Sequence, residues 1–282
     1  MTAPLYVAAR RVLLDALDAL CEHRNALVLA GAQAIYIRTG SAELDASIAP
    51  YTTDADLAID PARLGPDPRL EEAMRAAGFQ LLQVGDHTEP GIWTIVTNVD
   101  GQDRVVPVDL LVPETLAGSG RRAARIPPHG KAAARRIPGI EATIVDNDPI
   151  PIASLEPAVD PRVATIRVAG TAALIIAKVH KINDRLANAE QGRQDRLKAK
   201  DASDVYRLMG AAPAEHVAAR LASLAGDDIA GACAREGIHL LRRLFGAPRA
   251  PGVELAVQAL AGAVPEPQVR ALMVAYTAAV LP

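Results

Sequence analysis

The sequence predicts an α+β chain: a mixed β-sheet flanked by helices, followed by a helical C-terminal region. Three observations carry that expectation. Apolar residues recur at helical spacing over the first twenty positions. Between residues 26 and 112, short apolar or alternating runs are separated by Gly and Pro, as strands and turns require. From Thr171 onward the periodicity is helical, with few strand signals. We therefore expect residues 1–170 to form an α/β domain and residues 171–282 a helical C-terminal domain.

The first helix is expected over Pro4 to His23, with Val7, Leu13, Leu14, Leu17 and Leu20 on one face. Ala26 to Ala30 is an apolar run closed by Gly31 and reads as a buried strand. Ala32 to Arg38 reads as a short helix ended near Gly40. Residues 41–53 have no period. Asp54 to Asp60 alternates acidic and apolar side chains, the two-residue period of a strand. A proline-rich connection leads to a helix over Arg69 to Ala77, capped by Gly78. Three strands are expected at 79–84, 92–98 and 104–112, the last two joined by a turn over Val99 to Asp103. Residues 113–140 are loop-like. Further strands are expected at 141–145 and 163–168, and helices at 172–188, 201–209 and through most of 214–281.

The composition limits the function. The chain has 282 residues, with 30 Lys plus Arg against 33 Asp plus Glu, a formal net charge of −3. A uniformly basic nucleic-acid coat is excluded, though a local basic patch is not. Aromatics are only 3%, so the core must be aliphatic and an aromatic base-stacking surface is not expected. Cys21 and Cys233 are far apart and neither belongs to a CxxC pair, which excludes a disulfide scaffold or a Cys-rich zinc site. The first residues carry Arg and Asp among apolar positions, unlike a signal peptide. No apolar run is long enough to span a bilayer. A cytoplasmic protein with no membrane partner is the expectation.

Four patterns bear on chemistry. Asp54-Ala55-Asp56 lies on an expected strand, where side chains two apart share a face. Paired carboxylates repel unless a cation lies between them, and a hard divalent ion such as magnesium suits oxygen ligands. The motif is short, and an exposed acidic strand edge reads the same way. Asp109 is a lone carboxylate in the apolar run Val106 to Val112, where burial without a partner is costly. It could be a third ligand beside the first two. Pro107 keeps open an edge strand with Asp109 in solvent. Gly31 and Ala32 form a strand-to-helix turn whose backbone N–H groups suit phosphate, as they suit any tight turn. Lys178, Lys181 and Arg185 share a helix face, and a basic run leads into Asp201 and Asp204. That set reads either as a solvated face or as a cationic clamp on a triphosphate.

In order, these patterns resemble the DNA polymerase β-like nucleotidyltransferase superfamily, and within it the AbiEii/AbiGii-type (MenT-like) toxin family. The resemblance spans roughly residues 25 to 210. It implies a polymerase β-like nucleotidyltransferase domain completed by the helical C-terminal domain. It implies transfer of a nucleoside monophosphate from an NTP (ATP, CTP, UTP or GTP) to an acceptor, with release of pyrophosphate. Asp54, Asp56 and Asp109 would be the metal ligands for two Mg2+ ions (or Mn2+). Lys178 and Asp201 would join them as catalytic residues, Lys178 neutralising phosphate charge and Asp201 orienting Lys178 or the acceptor. Gly31, Ala32, Thr53 and Lys181 would contact the nucleotide. Two departures stand out. The turn is Gly31-Ala32 where the family has Gly-Gly or Gly-Ser, and the spacer before Asp54 is long, with residues 49–53 expected to form an extra loop beside the site.

The acceptor is a separate inference. Residues 121–136 hold six Arg or Lys and no acid, a patch suited to phosphate contacts with nucleic acid or to a solvated loop. It directly follows the Asp109 strand, so RNA is the expected acceptor. The family resemblance implies a tRNA 3′ end, a toxin–antitoxin or phage-defence role, and a possible antitoxin partner. The competing readings are nucleotidyl transfer to a protein or an antibiotic-like small molecule, a non-catalytic nucleotide- or RNA-binding module, and, more remotely, a glycosyltransferase with the same acidic motif.

Overall fold

The structure is a computed structural model that describes residues 3–40, 52–193 and 198–281. Most of the aperiodic segment 41–53 and of the expected loop 49–53 lies outside the described residues, as do Arg196 and Leu197. The chain divides into two compact units. One comprises residues 1–34, 50–138 and 147–169, and the other residues 35–49, 139–146 and 170–282.

The first unit is built on one mixed sheet. Its strands are β1 (Leu27–Ala30), β2 (Ala55–Ile59), β3 (Gln80–Val84), β4 (His87–Val99), β5 (Gln102–Pro113), β6 (Arg135–Ile137), β7 (Asn147–Ala153) and β8 (Val163–Ala169). The spatial order is β3-β4-β5-β2-β1-β8-β7, with β6 also paired to β5. β2–β5, β1–β8 and β5–β6 are parallel, and the other pairs are antiparallel. The mixed sheet expected from the sequence is present.

Helix α1 (Pro4–Ala19) packs on β4 and β5 through an aliphatic stripe that includes Val12, Leu13 and Leu17. Trp93, Val106, Val108 and Leu110 are all buried, and the core of this unit is mainly aliphatic, with Phe79 and Trp93 its largest buried rings. Trp93 Nε1 donates to the Ala133 carbonyl at 2.9 Å, making Trp93 a packing residue. The β4–β5 hairpin turns at Asp100-Gly101, both at positive φ, as a two-residue primed turn demands. Pro107 does not place β5 at an edge. It precedes Val108, where pairing to β2 begins, so its missing N–H costs that ladder nothing.

Two expectations fail locally. Residues 141–145 form a short helix, α4 (Glu141–Val145), instead of a strand. The strand follows as β7, whose Pro149 and Pro151 interrupt the apolar pattern and are tolerated because β7 is an edge. The first helix also stops earlier than expected, at Ala19, and Cys21–Ala26 is a 3-10 turn.

The second unit is helical. It contains α5 (Thr171–Glu190), α6 (Lys200–Ala211), α7 (Ala214–Ala225), α8 (Gly231–Phe245), α9 (Pro251–Ala259) and α10 (Glu266–Val280), together with α4. α5 packs against α4, α6, α7 and α8 through Leu174, Ile175, Ile176, Val179 and Ile182, all buried. α2 (Gly31–Thr39) begins in the first unit and ends in the second. Among the described residues no helix is long and apolar enough to cross a membrane.

Candidate functional site

The register of the central strands places the acidic residues. Ala30 pairs with Asp56, Asp56 with Asp109, and Asp109 with Ile92, so these four form one row across β1, β2, β5 and β4. Directly opposed residues present their side chains to the same face. Asp56 and Asp109 therefore sit side by side, while Leu57, Val108 and Leu110 are buried on the other face. Asp54 precedes β2 by one residue, two before Asp56. A β-strand that keeps its backbone hydrogen bonds cannot separate such neighbours, so the sequence fixes the carboxylate pair once the strands align.

Gly31 sits against this row. Its φ is +63°, and a Cβ there would overlap the carboxylate of Asp56. Any side chain would thus meet both backbone strain and the acidic residue. Ala32 follows as the second residue of α2 and is buried.

Asp54 is held at two points. Its Oδ1 accepts a hydrogen bond from the Thr52 hydroxyl. Its main-chain carbonyl accepts from Gln33 Nε2 at 3.1 Å. Thr52 is buried and Thr53 exposed, so Thr52 is the threonine that touches the acidic motif. All of the potential metal donors here are carboxylate oxygens, the chemistry a hard divalent cation prefers. The side chains are not gathered around a common point: among the described residues, no three His, Cys, Asp or Glu form a group that could hold a metal ion.

The second unit carries a separate ionic cluster. Lys178 Nζ, on α5, donates to Asp201 Oδ1 at 2.8 Å and to Asp204 Oδ2 at 2.7 Å, both on α6. All three side chains are nearly fully buried. Burial alone would lower the Lys178 pKa, but the two carboxylates outweigh it and raise it above the usual lysine range. Burial raises that of Asp201, while Lys178, Lys181 and Arg185 bring it down to about 2. Arg185 also pairs with Asp201, Lys181 lies 3.9 Å from it, and Lys200 Nζ lies 3.3 Å from Asp204. Four cations face two carboxylates, leaving net positive charge with Lys181 and Lys200 at the surface. Asp201 thus bonds Lys178 directly.

The basic segment 121–136 is half neutralised. Glu89 accepts from Arg122 at 2.9 Å and from Arg135 at 2.8 Å, and Glu114 accepts from Arg136 at 3.0 Å. Arg121, Arg125 and Lys131 are exposed, with no carboxylate partner among the described residues. His129 is buried: its Nδ1 accepts from the Leu70 N–H and its Nε2 donates to the Gly65 carbonyl, so it anchors the loop. His180 is likewise engaged, with the Cys233 carbonyl. Both cysteines are free thiols, and burial followed by Glu141 pushes Cys233 up to about 12, away from nucleophilic chemistry.

Sequence reasoning missed Arg10, Gln33 and Thr52. The one available signal was Arg10 itself, a cation on the apolar stripe of a helix.

No protein-family model matches the chain, and no curated protein matches it. Among solved structures it aligns with an H. pylori protein provisionally named a nucleotidyltransferase, at 8% identity and a TM-score of 0.36, over 97% of this chain and 93% of that one. A likeness that weak carries no argument, and the functional reading rests on the site.

Proposed function

We propose that the chain is a metal-dependent nucleotidyltransferase that moves a nucleoside monophosphate from an NTP to an RNA acceptor. The observation that carries this reading is the row in which Asp56 and Asp109 lie side by side on adjacent strands, with Asp54 two residues back and Gly31 pressed against Asp56. Carboxylate oxygens side by side on a sheet are the donors a hard divalent cation takes, and a turn opening a helix beside them suits phosphate. The motifs also follow one another along the chain in the order of the nucleotidyltransferase superfamily that the sequence resembles.

Asp54, Asp56 and Asp109 would hold Mg2+ or Mn2+, which when bound supplies charge stabilisation at the attacking and leaving oxygens. An acceptor hydroxyl oxygen would attack the α-phosphorus, the α–β bridging bond would break, and pyrophosphate would leave. Asp109 is the carboxylate proposed to take the hydroxyl proton. The backbone of Gly31 and Ala32 would meet the phosphates. In the second unit, the net-positive set of Lys178, Lys181, Arg185 and Lys200 suits a polyphosphate, with exposed Lys181 and Lys200 the cations best able to reach one.

RNA is favoured as acceptor because Arg121, Arg125 and Lys131 are exposed on the loop that follows β5. A toxin role, a tRNA 3′ end as target and an antitoxin partner belong to the proposal through the family resemblance alone. A second reading, transfer to a protein or small molecule, is favoured by one observation: Glu89 and Glu114 neutralise three of the six loop cations. Incubating the protein with each α-labelled NTP, magnesium and either total RNA or total protein separates the two. Label in RNA, lost in Asp56→Ala, supports the proposal; label in protein moves it to the second reading; no label and no metal-dependent NTP binding overturns it.

A further inference from the structure

Arg10 is buried on α1, with 5% of its surface exposed. Its guanidinium donates from Nε to Gln33 Oε1 at 2.9 Å, from one terminal nitrogen to the Ala153 carbonyl at 2.9 Å, and from the other to the Tyr6 hydroxyl at 3.0 Å. All three acceptors are neutral, and among the described residues no carboxylate pairs with it. A buried cation without a counter-ion is costly. Arg10 tolerates it with its charge dispersed over a planar group and each arm bonded.

The consequence falls on Gln33. An amide can be turned either way in a cavity, and its two ends look alike. A guanidinium only donates, so the end facing Arg10 must be the oxygen. That aims Nε2 the other way, where it donates to the Ala9 carbonyl and to the main-chain carbonyl of Asp54, both at 3.1 Å. Gln33 is 1% exposed, so bulk solvent does not compete for either bond. The chain enters β2 at this carbonyl, and the orientation of the Asp54 peptide sets where its side chain emerges beside Asp56.

We propose that Arg10 and Gln33 are positioning residues for the acidic site: Arg10 fixes the orientation of the Gln33 amide, and the amide fixes the Asp54 main chain. This inference rests on the reading of Asp54 as a metal-binding residue. Both side chains bond to protein groups. They act through the geometry of the first carboxylate, which separates them from the residues the family resemblance supplies.

Gln33→Glu tests the relay with little cost to the fold. Glutamate keeps a bond to Arg10 and converts it to an ion pair, but it has no donor for Asp54 and turns a carboxylate oxygen toward that carbonyl. Arg10→Lys keeps the cation and loses the fork that orients the amide. Mn2+ binding is read by electron paramagnetic resonance, alone and with a non-hydrolysable NTP, with Asp54→Asn for reference and thermal unfolding alongside. We expect both variants to lose about 10- to 100-fold in Mn2+ affinity, the range for partners that orient metal ligands. Gln33→Glu should hold its unfolding temperature within about 4 °C. A folded variant with wild-type Mn2+ affinity overturns the relay alone. A wild-type protein that binds no Mn2+ with or without nucleotide overturns the site reading and this inference with it.

Discussion

Gly31 and Asp56 are the pair of residues on which the site turns. Adding one methyl at Gly31 forces a side chain into the left-handed region, a cost of about 1–2 kcal/mol, and drives it into the Asp56 carboxylate. Gly31→Ala should therefore lower stability by at least that amount. It should cut nucleotidyl transfer by about 10²-fold or more, the penalty for displacing a reacting group by roughly 1 Å. Chemical denaturation and label transfer measure the two effects separately. Asp56→Asn removes one carboxylate from the row without adding bulk and should abolish label transfer, with circular dichroism showing the fold retained. Wild-type transfer by the folded variant would contradict the reading of the site. At this scale the acidic motif was legible because strand alternation fixes which carboxylates are neighbours. Gln33 and Arg10 were not, because their roles depend on segments that the fold brings together across twenty or more residues; Thr52, two residues from Asp54, sits in an aperiodic stretch that gives its side chain no direction.

The α5–α6 pair shows what an element contributes beyond its sequence spacing. Lys178, Lys181 and Arg185 lie on one face of α5 as their spacing requires, yet they do not act alike. Lys178 is buried between Asp201 and Asp204, while Lys181 is exposed. Lys178→Met leaves two carboxylates buried without their shared cation and should destabilise the protein by about 3–5 kcal/mol. Lys181→Met should leave stability within about 0.5 kcal/mol of wild type. The Asp201 pKa is depressed to about 2 in the folded state, against about 3.9 for a free aspartate. Its contribution is therefore complete above about pH 4 and is lost as the pH falls toward 2. Stability measured from pH 6 down to pH 2 should fall less steeply in Asp201→Asn than in the wild type. Parallel curves would show that Asp201 is not held ionised by Lys178. Legibility was uneven here as well. The long helices and β2, β3, β5 and β8 followed from their periods, with boundaries off by a few residues. Glu141 to Val145 read as a strand because Thr143, Ile144 and Val145 are β-branched. The segment is a short helix instead, packed on α5 and α8, and the Thr143 hydroxyl bonds the Ile140 carbonyl. β7 was hidden by Pro149 and Pro151, tolerable only at a sheet edge, and edge position is a property of topology.

For the whole molecule, net charge and its distribution decide which acceptors can approach. A formal charge of −3 opposes general attraction to nucleic acid, so RNA binding would depend on local cations. Of the six on residues 121–136, three are tied to Glu89 and Glu114. Only Arg121, Arg125 and Lys131 are then available to displace counter-ions. The dependence of RNA affinity on salt should have a log–log slope near −2, about −0.7 per phosphate contact for three contacts on a single strand. Replacing all three by Ala should remove most of that slope and leave nucleotide binding intact. A slope near −4, unchanged in the triple variant, would place the RNA elsewhere. The central claim is that Asp54, Asp56 and Asp109 form a nucleotidyl-transfer site, and the most direct test is label transfer from α-labelled NTPs to RNA by wild-type and Asp109→Asn proteins in magnesium. The account predicts labelled RNA from the wild type and none from a folded Asp109→Asn. Equal labelling by both proteins would contradict it.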